Sequence, residues 1–240
     1  MLSLNHLKDF TSDSMVVFAS LPDMGMVGGL TSSFLATETR ADLVATITLA
    51  EKPWVNVKAG VAFNVIDTYN IFYSKSKQLL ILTGNNQPED PRELFGLCNM
   101  FLDFCNSKSS IRRIYTAGGS LNEQSTGEPK VVGVVTNQKL KELLVKSNID
   151  VVGNEISTIT WFNGLILGLA ISRNIDGVGF YGEISDKAVP QPLAAKSIIK
   201  AFAKLEGIKI DTKPLDRQYE EVLDNLEKRK GIADSRPGIG

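Results

Sequence analysis

Short, continuously apolar segments alternate with longer segments of helical periodicity, and this alternation limits the folds available to the chain. The apolar segments read as strands at residues 15–19, 43–49, 79–82, 111–116, 131–135, 150–152 and 178–181. Helical patterns occupy residues 27–37, 91–106, 137–145, 157–172 and 192–205. Continuously apolar strands separated by helices are typical of a mainly parallel sheet that is covered on both faces. The sequence therefore predicts an α/β fold of three layers, α/β/α.

Two regions depart from the simple β-α alternation. Residues 55–63 and 65–73 have mixed polarity and a turn-like sequence after them, which predicts an extended antiparallel pair added to the sheet. Such an insertion could form an edge that another subunit covers. Pro214 ends the main body, so we expect one domain over residues 1–213, followed at 214–240 by a C-terminal helix and a flexible tail.

The C-terminal helix is predicted over residues 215–229 and carries a narrow apolar seam. Its members are spaced four, three and four apart: Leu215, Tyr219, Val222 and Leu226. A seam of two positions in seven is the pattern of coiled coils, although this one is under two heptads long. A helix this short is marginal alone. It must pack on its own domain, on a partner or on another copy of itself, and the sequence leaves these alternatives open.

Composition excludes several kinds of chemistry. The chain has 26 basic and 27 acidic residues among 240, so it has no net field to attract nucleic acid. Its one histidine, His6, lies in a polar N-terminal segment, which argues against a Ser-His-Asp triad or a histidine-rich metal site. Cys98 and Cys105 lie about 10 Å apart along a predicted helix, too far for a disulfide. We expect two reduced, buried cysteines and a cytoplasmic protein without metal or cofactor.

One segment is apolar enough to suggest a membrane span. Residues 156–171 are almost continuously apolar but number only 16, and Glu155 and Arg173 flank them. A spanning helix needs about 20 such residues. The segment is therefore predicted to be a buried helix, and no membrane contact is expected.

Glycine and small polar or acidic residues follow five of the predicted strands. The carboxyl ends of parallel strands converge on one crevice, so we expect a cleft there. Its candidate residues are Asp23, Gly25, Gly28, Asn85, Gln87, Gly118, Gly119, Asn154, Glu155, Asn163 and Glu183.

Two alternatives stay open for this cleft. The glycines at residues 25–29 open a helix, so their N–H groups can hold an anion, or they can simply allow close helix–strand packing. They lack both the dinucleotide-binding spacing and the lysine of a P-loop. Glu155 and Glu183 are candidates for an acid–base pair with Asp23 nearby, but Asn154 and Glu155 can equally cap the following helix.

An ordered set of phrases resembles the proteasome assembly chaperone 2 family and its archaeal relatives. The phrases are LPDMGMVG at 21–28, LTGNNQP at 82–88, IYTAGG at 114–119, GNEISTITWFNGL at 153–165 and GEI at 182–184. The resemblance runs from about residue 15 to residue 210. It implies a fold like that of nucleoside phosphorylases, homo-oligomerisation and binding of proteasome subunits during core-particle assembly rather than catalysis.

The C-terminus departs from one pattern among the archaeal relatives. Some of them resemble proteasome activators and end in a hydrophobic residue, a tyrosine and one further residue. This chain has Ile239 where that tyrosine would stand. The resemblance therefore implies client binding through the C-terminal helix, with Leu215, Tyr219, Val222 and Leu226 as the contact residues.

The leading hypothesis is thus a non-catalytic, oligomeric chaperone that binds proteasome core-particle subunits. The alternative is an enzyme or small-molecule binder that uses the strand-end crevice for a nucleoside-like ligand. In it, Glu155 and Glu183 act as acid and base, and Asn85 and Asn154 orient the ligand.

Overall fold

A computed structural model describes residues 2–50, 54–122, 127–153 and 156–234. The strands are β1 (Leu2–His6), β2 (Ser14–Ala19), β3 (Asp42–Leu49), β4 (Val55–Lys58), β5 (Val61–Asn64), β6 (Asp67–Ser74), β7 (Leu79–Gly84), β8 (Ser110–Leu121), β9 (Val131–Val135), β10 (Asp150–Val151) and β11 (Gly177–Ile184). The helices are α1 (Val27–Glu38), α2 (Pro91–Lys108), α3 (Gln138–Lys146), α4 (Trp161–Ser172), α5 (Pro192–Glu206) and α6 (Lys213–Asp234).

Nine strands form the central sheet, in the order β1-β3-β6-β7-β2-β8-β11-β9-β10. The four central strands β7, β2, β8 and β11 are parallel, and antiparallel pairs extend the sheet on either side. Apolar cores cover both faces. Helices α2 and α4 pack on one face, whereas α1, α3, α5 and the start of α6 pack on the other. The three-layer α/β/α prediction is confirmed.

Local sequence explains where several helices begin and end. The Asp90 side chain accepts a hydrogen bond from the Arg92 N–H at 2.6 Å, and Pro91 occupies the first turn of α2. Asn137 caps α3 in the same way through the N–H of Leu140. Gly207 ends α5 with a positive φ of 64°. These signals lie within a few residues of the element they define, so the predicted boundaries agree closely with the structure.

Three predictions about elements were wrong. No strand was predicted before residue 15, but the polar segment that contains His6 forms β1, which pairs with β3. The antiparallel excursion exists but has a different pairing: β4 and β5 form a hairpin of their own, and β6 joins the main sheet between β3 and β7. Helix α4 begins at Trp161 rather than at residue 157, and it is not fully buried.

The cysteines lie where the sequence predicts. Cys98 and Cys105 are free and buried in α2 against the sheet. Burial raises the pKa of the Cys98 thiol to about 12 and also raises that of Cys105. Both therefore act as apolar packing residues.

Candidate functional site: the strand-end crevice and the C-terminal groove

The carboxyl ends of β7, β2, β8 and β11 meet at one edge of the sheet, as predicted for parallel strands. The fifth predicted strand end, that of β10, does not join them. Strand β10 is parallel to β9, which is antiparallel to β11, so its chain direction is reversed. The residues that line the crevice beside Asp23 and Gly119 after this strand are Ile156, Thr158, Ile159 and Thr160. Asn154 and Glu155 lie outside the described residues.

Asp23 is the central polar residue of the crevice. It follows β2 and precedes a short 3-10 turn, Met24–Met26, that leads into α1. One carboxylate oxygen accepts a hydrogen bond from the N–H of Gly28 at 2.7 Å, and the other accepts one from Gly119 at 2.7 Å. The anion at the start of α1 is therefore the chain's own carboxylate, which joins this helix to the end of β8.

Burial raises the pKa of Asp23, but not above neutral pH. Burial raises the pKa of its carboxyl group to about 6, although hydrogen bonds from the N–H groups of Gly28 and Gly119 oppose the shift. Among the described residues that line this part of the crevice, none is basic. Asp23 thus remains an anion at neutral pH in a poorly solvated site, stabilised by backbone dipoles.

The predicted crevice glycines allow close contacts that a larger residue would block. A Cβ atom on Gly28 would lie 2.5 Å from the carbonyl oxygen of Leu21 and 2.7 Å from that of Ala117. On Gly118 it would lie 2.9 Å from both Asp23 Oδ2 and Asn163 Nδ2, and on Gly119 it would lie 2.6 Å from the carbonyl oxygen of Met24. Gly25 has a positive φ of 64°. The geometry at Gly28 therefore agrees with the packing alternative.

Two predicted amides fasten α4 to the crevice. Asn163 donates to the carbonyl oxygen of Ala117 at 2.9 Å and accepts from the Thr116 hydroxyl. Gln87 donates to the carbonyl oxygen of Pro22 at 2.7 Å and accepts from the N–H of Phe162 at 3.2 Å. These bonds occupy both ends of each amide.

Asn85, a third predicted amide, lies apart from the crevice. It is exposed and lines a separate groove that includes Met26 and Pro214.

Two buried polar residues near the crevice, Ser20 and Tyr181, were not predicted from the sequence. The Ser20 hydroxyl oxygen accepts a hydrogen bond from the N–H of Ala117 at 2.6 Å, which strengthens the junction of β2 with β8. Tyr181 on β11 is buried, and its hydroxyl has no partner among the described residues. Burial raises the Tyr181 pKa, and the charge of Asp23 raises it further. A polar residue at the end of a buried strand was the available signal for both.

The crevice contains a cavity of about 510 Å³ beside α4. Its polar wall includes Asp23, Gln87 and Tyr181, and its apolar wall includes Ile159 and Trp161. Trp161 has a positive φ of 53°, which is uncommon for a bulky residue and marks local strain at the start of α4.

Glu183 lies in a different cavity from Asp23. Together with Pro190, it borders a groove of about 340 Å³ beside α6. Its carboxylate accepts hydrogen bonds from Asn122 Nδ2 at 3.2 Å and from the N–H of Lys130 at 3.4 Å. The predicted grouping of Glu183 with Asp23 is therefore wrong for these two residues. The other member, Glu155, lies outside the described residues.

The apolar seam of α6 is divided between the core and this groove. Leu215 is fully buried in the core that contains α1 and α5. It is therefore an anchor of the helix, and its prediction as an accessible client contact is corrected. Tyr219, Val222 and Leu226 are half-buried and line the groove. An ion pair of 2.5 Å between Lys196 and Asp216 adds a second attachment of α6 to α5.

The described residues offer neither a metal-binding cluster nor a membrane-spanning helix. No group of three or more histidine, cysteine, aspartate or glutamate side chains in this part of the chain could hold a metal ion. Likewise, none of the helices in the described ranges has the length and apolar character needed to cross a membrane.

The fold and the site together define an α/β/α protein with an internally braced strand-end crevice and a groove beneath its C-terminal helix. The chain belongs to the PAC2 family, which it matches over residues 17–230. This match confirms the family resemblance of the sequence.

Several proteins are similar to this chain. An uncharacterised protein of Methanocaldococcus jannaschii is 25% identical over 221 residues, which cover 91% of this chain and 84% of the relative. PbaB of Pyrococcus furiosus, an archaeal proteasome activator, is 25% identical, with a TM-score of 0.79 over 95% of this chain and 98% of PbaB. PbaA of the same organism, an archaeal homologue of proteasome-assembly chaperone, is 16% identical, with a TM-score of 0.76 over 99% and 100% of the two chains.

Proposed function

We propose that the protein is a non-catalytic, oligomeric chaperone that binds subunits or intermediates of the proteasome core particle and promotes their assembly. The observation that carries this proposal is the likeness to PbaB along nearly the whole of both chains, combined with membership of the PAC2 family. The role places the protein in the cytoplasm, where its two buried thiols stay reduced.

The bonding of the crevice supports a structural rather than a catalytic role for its polar groups. Both oxygens of Asp23 accept backbone hydrogen bonds, and the amides of Asn163 and Gln87 are bonded at both ends. A general acid or base must reach a proton on its substrate. Groups committed to holding β2, β8 and α4 together are poorly placed for that task.

The client surface in this proposal is the part of α6 beyond its first turn, residues 219–226, together with the groove beside it. Tyr219, Val222 and Leu226 offer apolar side chains, and the groove of about 340 Å³ leaves room for a partner's apolar residue. Leu215 and the Lys196–Asp216 ion pair fix the first turn of the helix. Binding then follows the helix-in-groove mode, in which anchors three and four residues apart provide most of the affinity.

A pull-down with separately purified proteasome α and β subunits tests this function. The wild-type chain should retain a subunit, and Tyr219→Ser/Val222→Ser/Leu226→Ser should weaken retention at least about tenfold, since each lost anchor costs more than about 1 kcal/mol. The matched control is Glu220→Ser/Asp224→Ser/Asn225→Ser, which changes three exposed residues of the same helix. Equal retention of both variants would contradict the helix surface, and no retention of wild type would contradict the function.

The cavity beside α4 favours one second candidate, a small-molecule binder. It has about 510 Å³ of space, with the Asp23 carboxylate and the Trp161 indole on its walls. A thermal-shift screen against nucleosides, nucleotides and phosphate addresses this candidate. A ligand at 100 times its Kd adds about 2.7 kcal/mol to the stability. A shift that is lost in Trp161→Ala would favour the binder, and no shift with any ligand would favour the chaperone.

A further inference from the structure

The β4–β5 hairpin exposes an unusual amount of apolar surface. The two strands pair only with each other as a separate two-stranded sheet, and every residue of both strands is exposed. Val57 and Val61 are each 67% exposed, and the other large exposed apolar residues of the hairpin and its flank include Val55, Phe63 and Ile66. An isolated two-stranded hairpin is marginally stable in water. This one therefore lacks the cover that such a structure needs.

Both faces of the hairpin carry exposed apolar side chains. Val57 lies opposite Ala62 on one face, whereas Phe63 and Val61 lie on the other face opposite Asn56 and Lys58. A hairpin that rested on its own domain would have one apolar and one polar face. Apolar residues on both sides indicate a hairpin that inserts between other surfaces.

Helix α4 has a second uncovered apolar surface. It contains no charged residue from Trp161 to Ser172, and a helix that is apolar all round is normally buried. Its inner side packs on the sheet, but Trp161 and Ile171 remain more than half exposed. Gly168 lies on the same outer side, and a Cβ atom there would have no neighbour within 4 Å. The outer face of α4 is thus a flat, open strip that can accept inserted side chains.

The two surfaces are matched in chemistry and separated in space. The only charged residue between positions 54 and 66 is Lys58, and α4 has none, so neither surface has charges to select a different partner. Depletion of charge is typical of permanent contacts between identical subunits. The hairpin connects β3 to β6, whereas α4 packs over β8 and β11, with β7 and β2 between them. Two separate surfaces on one subunit produce a head-to-tail contact.

We propose that the hairpin of one subunit inserts against the outer face of α4 in a second copy of this chain, so that each copy provides one surface of the contact and receives the other. The inference specifies the oligomer that the proposed function requires, but it involves only this chain. Failure of client binding in the pull-down therefore leaves it unaffected, and the native mass of the purified protein tests it alone.

The test uses one variant for each surface and light scattering to measure native mass. Val57→Glu/Val61→Glu changes the hairpin, and Gly168→Glu/Ile171→Glu changes α4, all at exposed positions. Wild type should have a multiple of the chain mass of 26.2 kDa, and each variant should have 26.2 kDa itself. Val145→Glu, at a position 59% exposed on α3, is the control and should keep the wild-type mass. Circular dichroism checks that each variant remains folded.

An equimolar mixture of the two variants distinguishes the head-to-tail contact from a hairpin–hairpin contact. The α4 variant keeps an intact hairpin and the hairpin variant keeps an intact α4, so one good contact remains between them. The mixture should therefore form a species of twice 26.2 kDa. It should grow no further, because no intact surface remains free on either chain. A monomeric wild type, an α4 variant with the wild-type mass, or a mixture that stays monomeric would each overturn the proposal.

Discussion

Gly28 has no room for a side chain, because its two nearest neighbours are backbone atoms. A Cβ there would lie 2.5 Å from Leu21 O and 2.7 Å from Ala117 O, and neither carbonyl can rotate away. We expect Gly28→Ala to lower the free energy of unfolding by about 1–3 kcal/mol in urea denaturation. Gly96→Ala, within α2, is the control: its one close contact is the terminal methyl of Leu2, and alanine is favoured over glycine in a helix by up to about 1 kcal/mol, so stability should not fall.

Asp23 should make the stability of the protein depend on pH. Burial raises its pKa in the folded state from the usual 3.8 to about 6, so the folded state binds the proton more tightly than the unfolded state. This stabilisation is complete below about pH 4 and is lost as pH rises through 6. Wild type should lose up to about 3 kcal/mol between pH 4 and 7 that Asp23→Asn does not lose. Denaturant unfolding at four pH values measures the difference, and identical pH profiles would contradict it.

Glu206, at the end of α5, is a second buried carboxylate with several polar partners. Its side chain is 3% exposed and accepts hydrogen bonds from the Tyr115 hydroxyl and, at 2.8 Å, from Arg113. Its second oxygen forms an ion pair with Arg112 at 2.8 Å. Glu206→Gln should cost about 3–5 kcal/mol in denaturant unfolding, because it leaves Arg113 buried without its counter-charge.

The matched surface pair for Glu206 is Lys8–Asp42, whose side chains are 58% and 63% exposed. Asp42→Asn should cost no more than about 1 kcal/mol. Similar costs for the two variants would show that the buried network adds little to stability.

At the scale of elements, the sequence was sufficient where the signal is local. The boundaries of α2 and α5 depend on local signals within about one turn, such as the cap at Asp90 and the glycine at Gly207. The central strands are buried on both faces, so their apolar character alone identifies them. The seam of α6 could also be read from spacing, but its division between anchor and groove depends on contacts with distant residues such as Lys196.

The elements that were missed depend on pairing between distant segments. Strand β1 alternates apolar and polar residues over only five positions, and β3, its partner, lies some forty residues further along the chain. The direction of β10 is fixed by its pairing with β9 rather than by its own two residues. The hairpin does have a local sequence signal, the glycine at position 60. Ala59 and Gly60 form a tight two-residue turn with φ values of 49° and 81°.

Asp23 shows the same limit within the site. Its position after β2 identified it as a crevice residue, but its partner Gly119 lies 96 residues away. The sequence therefore predicted a place for an anion and could not predict that Asp23 itself fills it.

Helix α6 should depend on Leu215 for its attachment. Leu215 is fully buried in the core, and it is the only buried side chain of α6 within residues 213–228. In Leu215→Ala, the amides of residues 216–228 should exchange with solvent at least about tenfold faster while α5 keeps its protection, because a lost Leu core contact costs about 2–5 kcal/mol. Leu223→Ala changes a residue that is 41% exposed and should leave exchange nearly unchanged. Equal protection of α6 in wild type and Leu215→Ala would contradict this anchor.

At the scale of the whole molecule, the two sides of the sheet differ in how completely they are covered. The side with α1, α3 and α5 also receives α6, whereas the other side has α2 and α4 and exposes Phe95, Trp161 and Ile171. A domain covered by its own helices on both sides needs no neighbour to complete its apolar packing. In the proposed assembly, the hairpin of one copy covers the open side of the next.

This assembly predicts that thermal stability rises with protein concentration. For a contact made only by folded subunits, a hundredfold higher concentration adds up to about 2.7 kcal/mol. In a chain of this size, 1 kcal/mol shifts Tm by about 2–4 °C, so the expected rise is about 5–11 °C. Differential scanning calorimetry at several concentrations measures it. Val57→Glu/Val61→Glu breaks the contact, so its Tm should stay constant over the same range. A constant wild-type Tm, or equal rises for both proteins, would contradict the assembly. Only a contact that includes the hairpin can make Tm depend on concentration in wild type and not in Val57→Glu/Val61→Glu.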